Sequence, residues 1–578
     1  MNPRNIPAQG ESQHSVDGFG FVPLWWSQRL VRVFFWVATA TVGLAQAWSL
    51  RFTLTPDGNS YLDVATAYLR GDYAHALNAY WSPMYSWLIA IALRVLNLPG
   101  FWDSTLLHLL NLVGLLIALR CFEYFFEGFL SFYRHSGVSQ DEMALSESLW
   151  WLLGYGLFFS SSLFVLRLEP TTPDMWLSVF TYLAMGILLR IAVNPRRLGY
   201  FAGLGLVLGL AYLTKGFYFP LSFVFFISAG LVAGVSGRNL ARVLLAVLIF
   251  GLVGGPFMYE ISKAKHRLTF GDVGKIGFAE FINPIARPQF WQGDAESGSP
   301  KHPTRKILSD PDVFEFATPV GGSHPPSYDL SYWMDGVRPH FNIRGQLRVL
   351  RQSVGTFFLI FVIQGEFALG IIIFLLLQER RRESLALFWR LWPLWLPPAM
   401  GCLAYSLVLV EPRYVASFLV FLVLAAFAVV ARQSPATSKR VAFAIVLGVL
   451  CVTGIKSTKY FVSDLAAMAH QQNVYWQAAQ SLHQLGIQPG DRVAVIAGNS
   501  VGHWARLAGV KIVAELPLGQ DDIFWRADRE TQDRVYAAFA STGSRVIVVK
   551  DPPLDATRDG WRQLGDTTYY AHLLPRTH

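Results

Sequence analysis

The chain has 578 residues, of which 53% are apolar and only 15% charged, and it carries a formal charge of +9. Soluble domains use about 25% charged residues, so this composition excludes an ordinary soluble protein and indicates a polytopic membrane protein. The positive charge does not point to nucleic acid, because the basic residues concentrate in short gaps between apolar runs, where they set membrane orientation.

A polar and mixed stretch of about 28 residues precedes the first full-length apolar run, Val31 to Leu50. It lacks the short apolar core and small-residue cleavage site of a secretory signal. The run therefore reads as a retained helix with Arg29 and Arg32 on its inner side. Thr55-Pro56-Asp57-Gly58-Asn59-Ser60-Tyr61 follows. Pro56 and Gly58 suggest a turn that leaves the Asp57 carboxylate outside regular helix; the competing reading is an Asx turn or a cap for a helix starting near Ser60. Pro83 to Leu98 is apolar but only about 16 residues long and contains Arg94. It reads as a re-entrant or interfacial helix on the Asp57 side, since a full crossing would put Asp57 and Asp174 on opposite faces.

Further apolar runs lie near 103–122, 149–166, 175–193, 200–214, 217–236, 240–259, 354–377, 388–410, 413–431 and 441–455. With about 20 residues needed per crossing, they imply about eleven to thirteen transmembrane helices. Arg190, Arg196 and Arg197, then Arg238 and Arg242, then Arg380, Arg381 and Arg382, then Arg432, Lys439 and Arg440 fall in short gaps, which the positive-inside rule assigns to the cytoplasm. Counting outward puts Asp57, Asp174, segment 260–352 and the C-terminus outside. Segment 260–352 is too long for a plain connection and reads as an ordered cap with short helices; Gly321-Gly322-Ser323-His324-Pro325-Pro326 within it reads as a loop.

Beyond residue 456 the composition becomes that of a soluble domain. Apolar strands at 492–498, 510–514 and 545–550 alternate with helical stretches near 473–485 and 528–541, which predicts an α/β domain with a partly parallel sheet. Gly498-Asn499-Ser500 reads as a strand-to-helix turn with an Asn or Ser cap rather than a phosphate loop. The expected organisation is a cytoplasmic tail at 1–28, a membrane module at 29–455 with outer loops 51–102 and 260–352, and the α/β domain at 456–578.

Two carboxylate motifs and two cationic motifs interrupt the apolar runs on the outer side. Glu169-Pro170-Thr171-Thr172-Pro173-Asp174 supplies Asp174, which could also simply cap the helix beginning at Met175, with Glu169 as a further acidic candidate. Thr214-Lys215-Gly216 and Glu411-Pro412-Arg413-Tyr414 supply the cations. Ionisable groups at membrane depth are costly unless paired or functional, although snorkelling would account for Lys215 and a local Glu411 pair for Arg413. Two carboxylates and two cations on one face suit transfer from an anionic lipid-linked donor: a carboxylate takes the proton of an attacking hydroxyl, and Lys or Arg balances charge on a departing phosphate. His266, just beyond a span, could join them. No Ser/His/Asp arrangement, Walker loop or metal-binding histidine pair is present. Cys121, Cys402 and Cys451 lie in or beside predicted spans and have neither metal-ligand spacing nor a loop partner.

In these motifs the chain resembles the GT-C superfamily of integral-membrane glycosyltransferases, particularly the branch of the protein O-mannosyltransferases, the lipid A aminoarabinose transferase and the Rgt-type lipopolysaccharide transferases. The residues carrying the resemblance are Pro56-Asp57 with Tyr61, Thr172-Pro173-Asp174, Leu213-Thr214-Lys215-Gly216 and Pro412-Arg413-Tyr414, in that order over roughly 31–431; Ser331-Tyr332-Trp333-Met334-Asp335-Gly336 also looks like a loop of bacterial members. The resemblance implies a polyprenyl-phosphate sugar donor, chemistry at the outer face and an inverting mechanism. It makes Asp57 the general base and Asp174 a second acidic residue, with Tyr61, Lys215, Arg413, Tyr414 and Glu169 around the substrate. Some members use a divalent cation such as Mg or Mn, for which Asp57 and Asp174 would be the ligands; others use none. The chain departs from the aminoarabinose transferase before Pro83, where Tyr80-Trp81-Ser82 stands in place of a lysine that handles the lipid phosphate.

The expected protein is a multi-pass glycosyltransferase of a bacterial cytoplasmic (inner) membrane, with membrane lipids, a polyprenyl-phosphate sugar and a lipid, glycan or protein acceptor as partners. A secondary transporter or lipid flippase is the alternative, since membrane-depth charges also line transport paths; against it stands the absence of paired halves. A non-catalytic membrane scaffold would explain the C-terminal domain but not the four charged motifs.

Overall fold

Among the described residues eight helices are long and apolar enough to cross a membrane, and Pro83–Leu96, Leu198–Thr214, Tyr218–Ala233 and Gly365–Leu376 are shorter apolar helices. The computed structural model describes residues 28–137, 144–316, 319–379, 381–431, 438–497, 502–553 and 558–575. The readings of the tail before residue 28, of Arg380, of Arg432 and of Gly498-Asn499-Ser500 lie outside them.

The centre of the bundle is aromatic. Helix Asp103–His135 places Phe122, Phe125, Phe126 and Phe129 on one buried face, where they meet Phe158, Tyr182 and Phe421 from three other helices at ring-centroid distances of 4.7 to 5.6 Å. Peripheral helices invert the pattern: Gly237–Ala264 turns Leu240, Leu244, Leu248 and Leu252 outward, each at least 57% exposed. A leucine stripe at helical spacing, bare on the protein side, is a lipid-facing surface.

Several elements differ from the sequence expectation. Asp57 is not in an irregular turn: helix Pro56–Leu69 starts one residue before it, with Thr55 as N-cap accepting from the Gly58 N–H and Pro56 in the first turn, where proline's missing donor is harmless. The run at 354–377 is broken at Gln364 into Ile343–Ile363 and Gly365–Leu376. The run at 388–410 becomes Arg381–Arg390 and Trp392–Ser406, and the run at 441–455 continues to Met468. Helix Pro83–Leu96 has 14 residues, about 21 Å at 1.5 Å per residue, against a hydrocarbon core of about 30 Å.

The C-terminal region forms a seven-stranded sheet that takes two strands from the 260–352 segment. In chain order the strands are β1 (Arg305–Leu308), β2 (Val313–Glu315), β3 (Arg492–Ile496), β4 (Lys511–Leu516), β5 (Val546–Lys550), β6 (Trp561–Gln563) and β7 (Tyr569–Leu573). Their order across the sheet is β1-β2-β4-β3-β5-β7-β6, with β4, β3 and β5 parallel and the flanking strands antiparallel. The three parallel strands are the three apolar runs read from the sequence. Their side chains are buried on both faces, Val493 and Val495 on one and Ala494 and Ile496 on the other, as a covered parallel sheet requires.

A largely buried arginine links this domain to the bundle. Arg506 donates from Nη1 to Asp63 Oδ1 at 2.8 Å and from Nε to Asp103 Oδ2 at 3.0 Å; all three side chains are at most 15% exposed. Asp63 also accepts from the Ser323 N–H at 2.7 Å. The outer segment, the Asp57 helix and the C-terminal domain therefore meet at one carboxylate.

Candidate functional site

Both carboxylates of the site sit in the first turn of a helix, where N–H groups without intrahelical partners favour negative charge. Asp57 is the second residue of Pro56–Leu69, and Asp174 is the first of Asp174–Val193. The loops ahead of them are tied together by Thr55 and Thr171, whose hydroxyls lie 2.7 Å apart, while the Thr55 N–H also donates to Thr171 Oγ1. That tie explains Gly58: a Cβ there would stand 2.1 Å from Thr171 Oγ1. The glycine serves close approach of two loops rather than a turn.

The two cations close the ring. Lys215, directly after Leu198–Thr214, donates from Nζ to Asp174 Oδ1 at 2.6 Å and lies 3.4 Å from the centre of the Tyr414 ring. Arg413, in the first turn of Pro412–Val430, reaches Asp57 Oδ2 at 3.5 Å and Asp174 Oδ2 at 3.7 Å. Thr172 Oγ1 donates to Asp174 Oδ2 at 2.8 Å. Asp174 is 3% exposed, whereas Asp57 keeps 36% of its side chain open to the cavity. Burial nonetheless pushes the Asp57 carboxyl above the usual aspartate range, against the opposing charge of Arg413.

Asp57 and Asp174 meet on one arginine, so the chain between them leaves this end of the bundle and comes back; Gly100–His135 and Glu147–Leu166, the two intervening helices long and apolar enough to cross a membrane, account for that excursion. Pro83–Leu96 therefore returns to the end it started from, and it packs on the Asp57 helix through Ser86 Oγ donating to the Tyr61 carbonyl at 3.1 Å.

These groups line a cavity of about 380 Å³ together with Tyr61, Tyr80, Trp81, Ser82, Glu280, Arg287, Gln289 and Ser327. A second cavity of about 210 Å³ is walled by Phe217, Pro220, Phe270, Val408 and Tyr405, and shares Lys215, Gly216, Phe281 and Tyr414 with the first. An ionic chamber thus opens into an apolar groove past Lys215.

Of the residues singled out in the sequence, Asp57, Tyr61, Asp174, Lys215, Arg413 and Tyr414 come together in the cavity wall. Glu169 does not: it pairs with Arg167 at 3.3 Å and is about half exposed. His266 is exposed and lies outside the lining. Arg413 faces the aspartates, not Glu411. Sequence reasoning missed Glu280, at the end of the short helix Val273–Phe281, and Arg287 and Gln289 in the turn that follows, since the segment is too short for periodicity to mark them. Tyr80-Trp81-Ser82, in the sequence only a departure from the family pattern, all line the chamber. Burial raises the Glu280 carboxyl above its ordinary range.

The donor set does not suit a divalent cation. Each aspartate already faces Arg413, Asp174 also carries Lys215, and a metal ion between them would meet two positive charges within the same shell. Among the described residues no group of three His, Cys, Asp or Glu converges.

No protein-family model and no curated protein sequence matches the chain. Solved structures do. The apo crystal structure of ArnT from Cupriavidus metallidurans aligns with 94% of this chain and 98% of its own length, with a TM-score of 0.50 at 12% identity. The chain has the GT-C fold. Further GT-C structures align at lower scores. ArnT of the same organism bound to undecaprenyl phosphate has a TM-score of 0.46 at 12% identity, covering 93% of this chain and 97% of that one. The Archaeoglobus fulgidus oligosaccharyltransferase in complex with Zn and sulfate has a TM-score of 0.43 at 11% identity, covering 90% and 68%. In this chain the charged chamber lies at the end of the bundle that also carries the α/β domain.

Proposed function

We propose that the protein is a membrane glycosyltransferase that moves a sugar from a polyprenyl-phosphate donor to an acceptor hydroxyl, with inversion at the anomeric carbon. The observation that carries the reading is the junction at Lys215: a chamber holding two carboxylates and two cations runs directly into an apolar groove. A ligand with an anionic head and an isoprenoid tail matches both halves, its phosphate near Lys215 and Arg413 and its tail along Phe217, Phe270 and Val408.

In this reading Asp57 accepts the proton of the acceptor hydroxyl, whose oxygen attacks the anomeric carbon as the bond from that carbon to the phosphate oxygen breaks. The electron pair leaves on the lipid phosphate, where Lys215 and Arg413 offset it. Asp174 fixes both cations and orients the acceptor. Arg287, exposed in the chamber wall, is a third cation on the path of the phosphate and occupies the role that the absent lysine before Pro83 leaves open. Only the displacing face of the sugar needs a carboxylate, which fits one attack and one inversion.

In this reading the chamber end faces the outside of the cytoplasmic membrane. The opposite end carries Arg134, Arg190, Arg196, Arg197, Arg238 and Arg242 beside short connections, and short arginine-rich loops stay in the cytoplasm.

The test is release of polyprenyl phosphate from a panel of polyprenyl-phosphate sugars by the purified protein, with and without candidate acceptors. Acceptor-dependent release supports transfer. Movement of the intact lipid between leaflets without release would replace the reading with a flippase.

A further inference from the structure

The helix Ile343–Ile363 has the length and composition of a membrane span, and its contacts hold its N-terminal half at one end of the bundle. Gln346 Nε2 donates to the Leu407 carbonyl at 3.0 Å, and Ser353 Oγ to the Ser406 carbonyl at 3.1 Å, so two successive turns touch the chamber end of Trp392–Ser406. At its far terminus Gln364 Nε2 donates to Ser161 Oγ, and the Ile363 carbonyl accepts from Lys456. Lys456 is eight residues, about 12 Å, before Asp464, which meets Ser49, and twelve before Met468, whose carbonyl meets Arg51, so the far terminus lies inside the bundle. The descent to the opposite end belongs to Gly365–Leu376, after which Gln378 reaches the Val429 and Val430 carbonyls.

The N-terminal half of this helix, at the chamber end, has three faces, and the sequence is written for them. Gly345, Val349, Ser353 and Ile360 are buried against the protein. Ile343, Leu347, Leu350 and Val354 form an apolar stripe, with Leu347 59% and Val354 69% exposed. Arg344, Arg348 and Arg351, spaced four and three apart, form the third face; all are exposed, and none pairs with a carboxylate among the described residues. Arg348 Nη2 donates only to the Phe281 carbonyl, and Phe281 lines both cavities. An arginine stripe beside an apolar stripe is the pattern of a helix lying in the interface plane of an anionic leaflet.

We propose that the Arg344, Arg348 and Arg351 face of this helix binds anionic phospholipid headgroups of the leaflet at the chamber end, beside the groove. Charge complementarity commits the surface to anionic lipid, and the apolar stripe that accompanies it commits the ligand to the bilayer rather than to a free anion. The proposal rests on the membrane fold and is independent of the transfer reading.

The test uses the full chain in nanodiscs of phosphatidylcholine mixed with phosphatidylglycerol, with retained lipid counted by native mass spectrometry. Wild type is expected to retain phosphatidylglycerol in preference, and Arg344→Gln and Arg351→Gln each to reduce that preference about fivefold. An unchanged preference in the double variant overturns the proposal, as does equal displacement of the lipid by soluble glycerol phosphate. If the glutamine variants fold poorly, spin labels on Leu347→Cys and Val354→Cys report depth: the headgroup layer is expected, and a Val354 label at the bilayer centre contradicts it.

Discussion

Arg413 stands between Asp57 and Asp174, 3.5 Å from one carboxylate and 3.7 Å from the other. It makes no hydrogen bond through Nε. Its charge is shared rather than committed, which leaves it free to turn toward a third anion. A lipid phosphate entering the chamber would compete for it and release Asp57 to act as a base.

Removing either cation should therefore weaken the developing charge balance. Arg413→Ala and Lys215→Ala are each expected to lower turnover by about 10²–10³-fold, read as kcat for lipid-phosphate release. Lys215→Ala also leaves Asp174 without its nearest partner, so its effect should include a loss of thermal stability that Arg413→Lys does not share.

The pH dependence follows from the raised Asp57 carboxyl. A base must be deprotonated, so kcat/KM should fall as pH drops through that carboxyl's pKa, on the acid side and at a pH above the 3.8 of an ordinary aspartate. An acid limb at or below the ordinary value would mean that another group limits the reaction.

The apolar groove can be narrowed without touching the charged chamber. A Cβ at Gly277 would lie 3.3 Å from Val408, so Gly277→Leu should obstruct the groove. KM for a long-chain polyprenyl donor is expected to rise about tenfold or more, while a short-chain analogue that stays in the chamber should be turned over as before.

The Arg506 junction predicts a stability effect distant from the chemistry. Arg506→Gln leaves Asp63 and Asp103 buried near each other without a cation, a loss of about 3–5 kcal/mol, visible as a lower unfolding temperature in detergent. Adding Asp63→Asn should recover part of it, because one uncompensated charge is removed.

Much of this architecture was legible because apolar length and short basic gaps are local signals. The three parallel strands and the helices Val474–Gln484 and Arg529–Ser541 were read nearly to their ends. Asp57 was found but placed in the wrong backbone: Pro56 and Gly58 suggest a turn, and only the Thr55 cap and the Thr171 hydroxyl show why they belong to a helix start. The break at Gln364 is hidden inside continuous hydropathy, and the partner Gln364 meets there, Ser161, lies far earlier in the chain. Strands β1 and β2 have four and three residues and become strands only by pairing, β2 on β4 and β1 on β2. Arg506 could not be matched to Asp63 and Asp103, because nothing in a single sequence marks a contact of that separation.

The measurement that bears most directly on the account is acceptor-dependent release of polyprenyl phosphate by wild type and by Asp57→Asn, which keeps the size of the side chain and removes its basicity. The account predicts that the variant binds donor with little change and releases lipid phosphate about 10²–10⁴-fold more slowly. Equal release by the two proteins would contradict it.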